Sequence, residues 1–274
     1  MYARPVNRLR NQPVQLLLGH IDTVWPAGTL NSMPFRIHDG HIYGPGVFDM
    51  KGGLVQMILA LDSLRALDLP LPVSPIIFVN SDEEIGSAES TPWITRLARC
   101  SVRTFVLEPA LGLDGDLKTT RKGVGHFRIG VRGRASHTGL DPEGGASAIL
   151  ELSHVIQALH ALNDPAKGIS VNVGIIEGGL RPNVVAAESQ AVVDVRVPDE
   201  SAARHIEEVL HNLEPATPGV SLSVEGNVGR PPLLPTQRNR QLWHKAKEAA
   251  GLLGIEIEEG MAGGGSDGNT TSQY

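Results

Sequence analysis

The sequence predicts an α/β protein built on a mostly parallel sheet, with a smaller α+β module inserted into it. Two observations carry this. Over roughly the first 110 residues, short continuous runs of Val, Ile and Leu alternate with helical patterns, as expected of strands buried on both faces. From about residue 121 the pattern becomes half-exposed strands and amphipathic helices in the order β-α-β-β-α-β, a ferredoxin-like arrangement. The expected boundaries are residues 1–120 for the first part of the larger domain, 121–230 for the module and 231–274 for the second part of the larger domain.

The first strand is expected at Val14–Leu18, running into Gly-His-Ile-Asp. Asp39-Gly40 marks a hairpin, and the flanking His38 and His41 are read as structural. Residues 51–67 place apolar side chains at helical spacing and stop before Pro70 and Pro72. A second buried strand, Ile76–Val79, leads into Asn-Ser-Asp-Glu-Glu, and a helix over Thr91–Ala98 carries Pro92 in its first turn. The third run, Thr104–Leu107, ends at Glu108.

In the module, strands are expected at Val124–Val131, Ile169–Ile176, Glu188–Val197 and Val220–Val224, with helices at Gly145–Leu162 and Ser201–Leu213. Such a unit leaves one sheet face and an edge strand open, which suits a dimerisation or lid role. A return linker, GRPPLLPTQ, precedes a helix over residues 238–251 and a last strand at Gly254–Glu258. The glycine-rich loop Gly263–Gly268 would launch a helix, with Ser266 or Asp267 as its N-cap.

Composition narrows the function. With 24 Lys and Arg against 30 Asp and Glu, the 274-residue chain carries a net charge of −6 and has no basic patch, which argues against nucleic-acid or anionic-membrane partners. No apolar run reaches the roughly 20 residues needed to span a bilayer, and no signal peptide is visible, so a cytoplasmic location is expected. The single cysteine, Cys100, is read as a small buried residue. Any metal would therefore be held by His, Asp and Glu.

Those residue types recur at the places where an open α/β sheet binds ligands, beyond the carboxyl ends of its strands. His20-Ile-Asp22, Asp49-Met-Lys-Gly-Gly, Asp82-Glu83-Glu84 and Glu108 each follow a predicted strand or open a helix. Gathering several carboxylates into one crevice is costly unless protons or cations neutralise them, and divalent metals do this well. Adjacent glutamates in extended backbone point in different directions, so one can ligate while the other faces water.

The segments LLLGHIDTVWPAGTL, IYGPGVFDMKGG, VNSDEEIGS, VLEP, RASHTG and GGGSD together resemble the di-zinc amidohydrolases that include aminoacylase, acetylornithine deacetylase, succinyl-diaminopimelate desuccinylase and glutamate carboxypeptidase. The wording around HIDTVWPAGTL and GPGVFDMKGG is most similar to the glutamate carboxypeptidase branch. The resemblance implies a di-metal catalytic domain with an inserted dimerisation or lid domain, and a homodimer formed through that lid. It implies hydrolysis of an amide or peptide bond next to a free carboxylate, in a peptide or an acyl-amino acid. Zn²⁺ is the implied metal, with Co²⁺ or Mn²⁺ also compatible with such ligands.

Carried onto this sequence, the resemblance implies that Asp49 bridges two metals, His20 and Glu108 ligate one, and Glu84 ligates the other. Glu83 would be the general base and Asp22 would orient the His20 ring. His137 in Ser-His-Thr-Gly would polarise the scissile carbonyl in the partner's site, and Asn183, Arg230 and Gly264 would lie against the substrate. A turn role for Asn183 is an equal alternative. The remaining histidines, at 126, 154, 160, 205, 211 and 244, are read as structural.

The family also supplies a further histidine ligand downstream of the glycine-rich loop, and no histidine follows His244 here; helices and a strand that usually precede the first strand are missing too. Two readings stay open: a piece of a longer enzyme, or a short, catalytically impaired homologue acting as a dimerising or binding module.

Overall fold

The computed structural model describes residues 1–274. In chain order it contains β1 (Tyr2–Ala3), β2 (Val14–His20), β3 (Arg36–His38), β4 (His41–Tyr43), α1 (Gly52–Ala66), β5 (Ser74–Asn80), α2 (Thr91–Arg99), β6 (Arg103–Val106), β7 (Leu117–Arg121), β8 (Gly123–Arg132) and α3 (Ala148–His160). The chain continues through β9 (Ser170–Gly178), β10 (Glu188–Val197), α4 (Glu200–His211), β11 (Ser221–Arg230), α5 (Gln237–Leu252), β12 (Glu259–Ala262) and α6 (Asp267–Thr271). Strands β7 and β12 pair as a two-stranded ribbon. No helix is long and apolar enough to cross a membrane.

The residues divide into two compact units: unit 1 comprises Met1–Thr119, Pro235–Gly260 and Ser266–Tyr274, and unit 2 comprises Thr120–Leu234 and Met261–Gly265. Unit 1 holds a four-stranded sheet in the order β1-β5-β2-β6. Strand β2 runs parallel to both β5 and β6, so all three end at the same edge. Val14, Leu16 and Leu18 alternate onto one face and pack with Ile76 and with Ile94 of α2. On the other face Gly19 leaves room for α1, since a Cβ there would lie 2.6 Å from Leu54. The Asp39-Gly40 turn joins β3 to β4, with φ of 47° and 73° as such a hairpin turn requires.

Unit 2 is a four-stranded antiparallel sheet in the order β11-β8-β10-β9. One face carries the core: Phe127, Ile129, Val171, Val193, Val195 and Val197 pack under Val155 and Leu159 of α3 and Ile206 and Leu210 of α4. The opposite face is polar, with His126 beside Asp194 (3.3 Å), Asp194 clasped by Arg196, and Arg128 donating to Gln190 (2.9 Å).

The structure corrects several expectations. Cys100 is exposed, because it follows α2 beyond the buried stripe of Ile94 and Ala98. No strand forms over Gly254–Glu258. Gly254, at φ 69°, and Ile255, whose N–H donates to Ala250, still close the end of α5, and pairing begins only where Glu258 O accepts from Leu117 (2.9 Å). Helix α3 starts three residues later than expected, because Ala146 is bridged to Arg134 and Ser147 caps the helix by accepting from Leu150 N–H.

Candidate metal centre

The parallel arrangement of β2, β5 and β6 delivers His20, the Ser81–Gly86 turn and Glu108 to one sheet edge. Asp49 arrives in the irregular turn Val47–Lys51 before α1, where its backbone is extended (φ −114°, ψ 105°). Gly53 lets the start of α1 approach β6, since a Cβ there would meet the Leu107 carbonyl oxygen at 1.8 Å. Close approach of these backbones is a local reason for glycine in Lys-Gly-Gly.

His20 is 1% exposed and lies among carboxylates. Its Nε2 lies 3.2 Å from Asp49 Oδ1 and 3.7 Å from Glu108 Oε1. Its Nδ1 lies 3.1 Å from the Asp22 carbonyl oxygen and 3.4 Å from Asp22 Oδ1. Asp22 Oδ2 also accepts the Glu84 N–H at 2.9 Å, tying the histidine's support to the glutamate turn. Two groups have ligand atoms within 4.8 Å of one another: His20 with Glu83 and Glu108, and His20 with Asp49 and Glu84. Asp82, although adjacent, is engaged elsewhere: it accepts from Glu89 N–H, Ser90 N–H and the Ser90 hydroxyl, closing the loop before α2.

The electrostatics match this crowding. Burial alone would lower the His20 pKa, but the Asp49 hydrogen bond, the charges of Glu108 and Glu83 and the Asp22 backbone raise it from 6.5 to about 9. Burial pushes the Glu84 carboxyl up, as do the charges of Asp49 and Asp22, while His20 opposes the shift. One imidazole with several carboxylates and no thiolate is a donor set that suits Zn²⁺, Co²⁺ or Mn²⁺. The residues present therefore fit a divalent cation.

The other sequence-predicted residues belong to unit 2. His137 is exposed, its Nδ1 accepts from Gly139 N–H, and it bridges to Val184. Asn183, also exposed, accepts at its backbone carbonyl from Thr138 N–H (3.2 Å), so it adjoins the His137 loop. Arg230 ends β11, opposite Val124. Gly264 accepts at its carbonyl from the buried Arg121 guanidinium (3.0 Å), and a Cβ there would meet nothing within 4 Å. Sequence patterning missed Asn80, Ser87 and Asp267, which form a buried group beneath the glutamate turn. Asp267 was legible only as a helix cap, although a lone carboxylate in a loop of small residues was the available signal.

The chain is similar to known peptidases in sequence and fold. Residues 119–219 match the M20 peptidase dimerisation domain. Carboxypeptidase G2 of Pseudomonas sp. (strain RS-16) is 30% identical over 260 residues, which cover 92% of this chain and 61% of that protein. The chain is similar to this carboxypeptidase over most of its own length, and residues 119–219 carry the likeness to the M20 dimerisation domain. It thus spans about three-fifths of the length of that curated relative. Among solved structures, aminopeptidase PepT from Bacillus cereus has a TM-score of 0.71 at 22% identity, covering 99% of this chain and 73% of that one. An M20 family metallo-carboxypeptidase from Sulfolobus solfataricus has a TM-score of 0.66 at 16% identity, covering 97% and 74%. At these identities the two structures bear on the fold alone.

Proposed function

We propose that the chain is a metal-dependent hydrolase of amide or peptide bonds next to a free carboxylate, in the manner of a carboxypeptidase or an acyl-amino-acid amidohydrolase. The observation that carries this reading is the pair of overlapping ligand groups sharing one buried histidine. Zn²⁺ is the assigned metal; a divalent ion bound there supplies Lewis-acid polarisation of the substrate carbonyl and lowers the pKa of water.

His20, Asp49, Glu84 and Glu108 are assigned as ligands, with His20 common to both groups and Asp49 in the group that contains Glu84. Asp22 holds His20 through Nδ1, which leaves Nε2 directed at Asp49 and Glu108. Glu83, buried beside His20 and Glu108, takes the proton from the attacking water and returns it to the leaving amine. In unit 2, Asn183, Arg230 and Gly264 are assigned to the substrate, Arg230 because a guanidinium fork matches a carboxylate. The dimerisation-domain match supports a homodimer, in which the exposed His137 acts on the partner's crevice.

The test is a hydrolysis panel of N-acetyl amino acids, dipeptides and acyl-glutamates, run with Zn²⁺, Co²⁺ or Mn²⁺ and paired with metal stoichiometry. Turnover of one substrate class, abolished by chelation and restored by metal, is expected. Absence of turnover together with substoichiometric metal would leave only a non-catalytic dimerising module. Mixed dimers of Glu83→Ala and His137→Ala chains should recover activity that neither variant has alone; no recovery removes the trans role of His137.

A further inference from the structure

A buried carboxylate outside the ligand groups bears on the glutamate turn. Asp267 is 2% exposed, at the start of α6. Its Oδ2 accepts from Asn80 Nδ2 at 2.8 Å and its Oδ1 accepts from the Ser87 hydroxyl at 2.5 Å. These two donors bracket the segment that presents Glu83 and Glu84: Asn80 ends β5 on one side, and Ser87 closes the turn on the other. Both are buried. Asn80 also lies opposite His20 in the sheet register, and its backbone carbonyl accepts from Ile21 N–H at 3.0 Å. Ser87 has φ of 55°, a left-handed backbone unusual for a serine, and its N–H donates to Asp82 O at 2.7 Å. A single carboxylate therefore ties the strand end beside His20 to the far side of the acidic turn.

We propose that Asp267 is a positioning residue that fixes the span of the Asn80–Ser87 segment and so sets where Glu83 and Glu84 stand against His20. The proposal rests on the metal reading only for the consequence of that placement, not for the placement itself. Exchanging the carboxylate for an amide turns one of its two acceptor oxygens into a donor, so the Asn80 amide and the Ser87 hydroxyl can no longer both donate to it, which loosens the turn while the sheet stays paired. Metal affinity then falls because the ligands' support has gone.

The test uses the full chain with Asp267→Asn and, as a milder change, Ser87→Ala. Hydrogen exchange is followed by peptide, alongside a visible-absorption titration with Co²⁺. In Asp267→Asn, amides over residues 82–90 should exchange at least about tenfold faster, while β2 and the strands of unit 2 keep their rates. Ser87→Ala should act in the same place and direction, by less. Co²⁺ affinity should fall by about 10- to 100-fold in Asp267→Asn. Unchanged exchange over 82–90 overturns the proposal, as does faster exchange with Co²⁺ affinity unchanged. Should Asp267→Asn speed exchange everywhere through global unfolding, Ser87→Ala decides by the same local criterion. A wild-type chain that fails to bind Co²⁺ refutes the metal reading, and exchange alone then decides the role of Asp267.

Discussion

The two units divide packing and chemistry between them. Unit 2 buries a large apolar core, with strand and helix side chains such as Ile129, Leu159, Val193, Ile206 and Leu210 essentially inaccessible. Unit 1 has a smaller cluster around Leu16, Leu18 and Ile94, and its α1 leaves Val55, Ile58 and Leu59 more than half exposed although that helix is apolar almost throughout. Yet unit 1 holds the acidic crevice. The contrast teaches that the acidic crevice lies in the unit with the thinner core, where hydrogen bonds such as Glu84–Asp22 and Asn80–Asp267 help to place its carboxylates.

Four experiments would break or sharpen that contrast. The largest effect belongs to unit 1's chemistry: Glu83→Ala should lower kcat by about 10²- to 10⁴-fold, with metal content by elemental analysis unchanged. Surviving turnover would show that another group is the base. Next comes packing, tested with one residue type in both units. Ile206→Ala should cost about 2–5 kcal/mol in urea unfolding, whereas Ile58→Ala, at an exposed site, should change stability by no more than about 0.5 kcal/mol. Equal losses would mean that α1 is covered in solution.

A smaller effect tests the one deeply buried acid of unit 2 outside any ligand group. Burial alone would raise the Glu151 carboxyl, but the Thr217 side chain and the Ala216 and Thr217 backbone N–H groups, which donate at 3.0 and 2.7 Å, hold it below its ordinary 4.5. A depressed folded-state pKa stabilises the fold above the unfolded value and is lost as pH falls through the folded one. Urea midpoints for unit 2 should therefore drop as pH is lowered below about 4.5. Glu151→Gln should cost about 1–3 kcal/mol at neutral pH and flatten that dependence. The smallest effect is Gly264→Ala: with no positive φ and an empty surround, stability should shift by less than about 0.5 kcal/mol. A raised KM with that stability intact would assign the residue to the substrate; an unchanged KM would remove it.

Strands β2, β5 and β8–β10 were legible because burial on one or two faces writes itself into apolar runs or alternation. Four of the candidate ligand-group members were legible because His20, Glu83, Glu84 and Glu108 lie at or just beyond the ends of parallel strands, whereas Asp49 arrives in the turn before α1. Other elements left no such trace. The polar β7, Leu-Lys-Thr-Thr-Arg, owes its extended form to pairing with a segment far along the chain, and the short β12 has no period of its own. Ile255–Glu258 has no partner strand until Glu258, so the strand expected at Gly254–Glu258 begins only at Glu259. Asp82 and Glu83 are neighbours with opposite duties, one closing a loop and one facing His20; only the direction of each side chain separates them.

The Asn80–Asp267 hydrogen bond joins positions 187 residues apart. On a ribosome adding about 5–20 residues per second, β2, β5 and the glutamate turn exist for something like ten to forty seconds before residue 267 is made. During that interval the turn lacks the carboxylate that spans it. On the proposed role of Asp267, the crevice acquires its final dimensions late in synthesis, after the strands that carry it have been made, and a nascent chain arrested short of α6 would have an acidic turn not yet gauged.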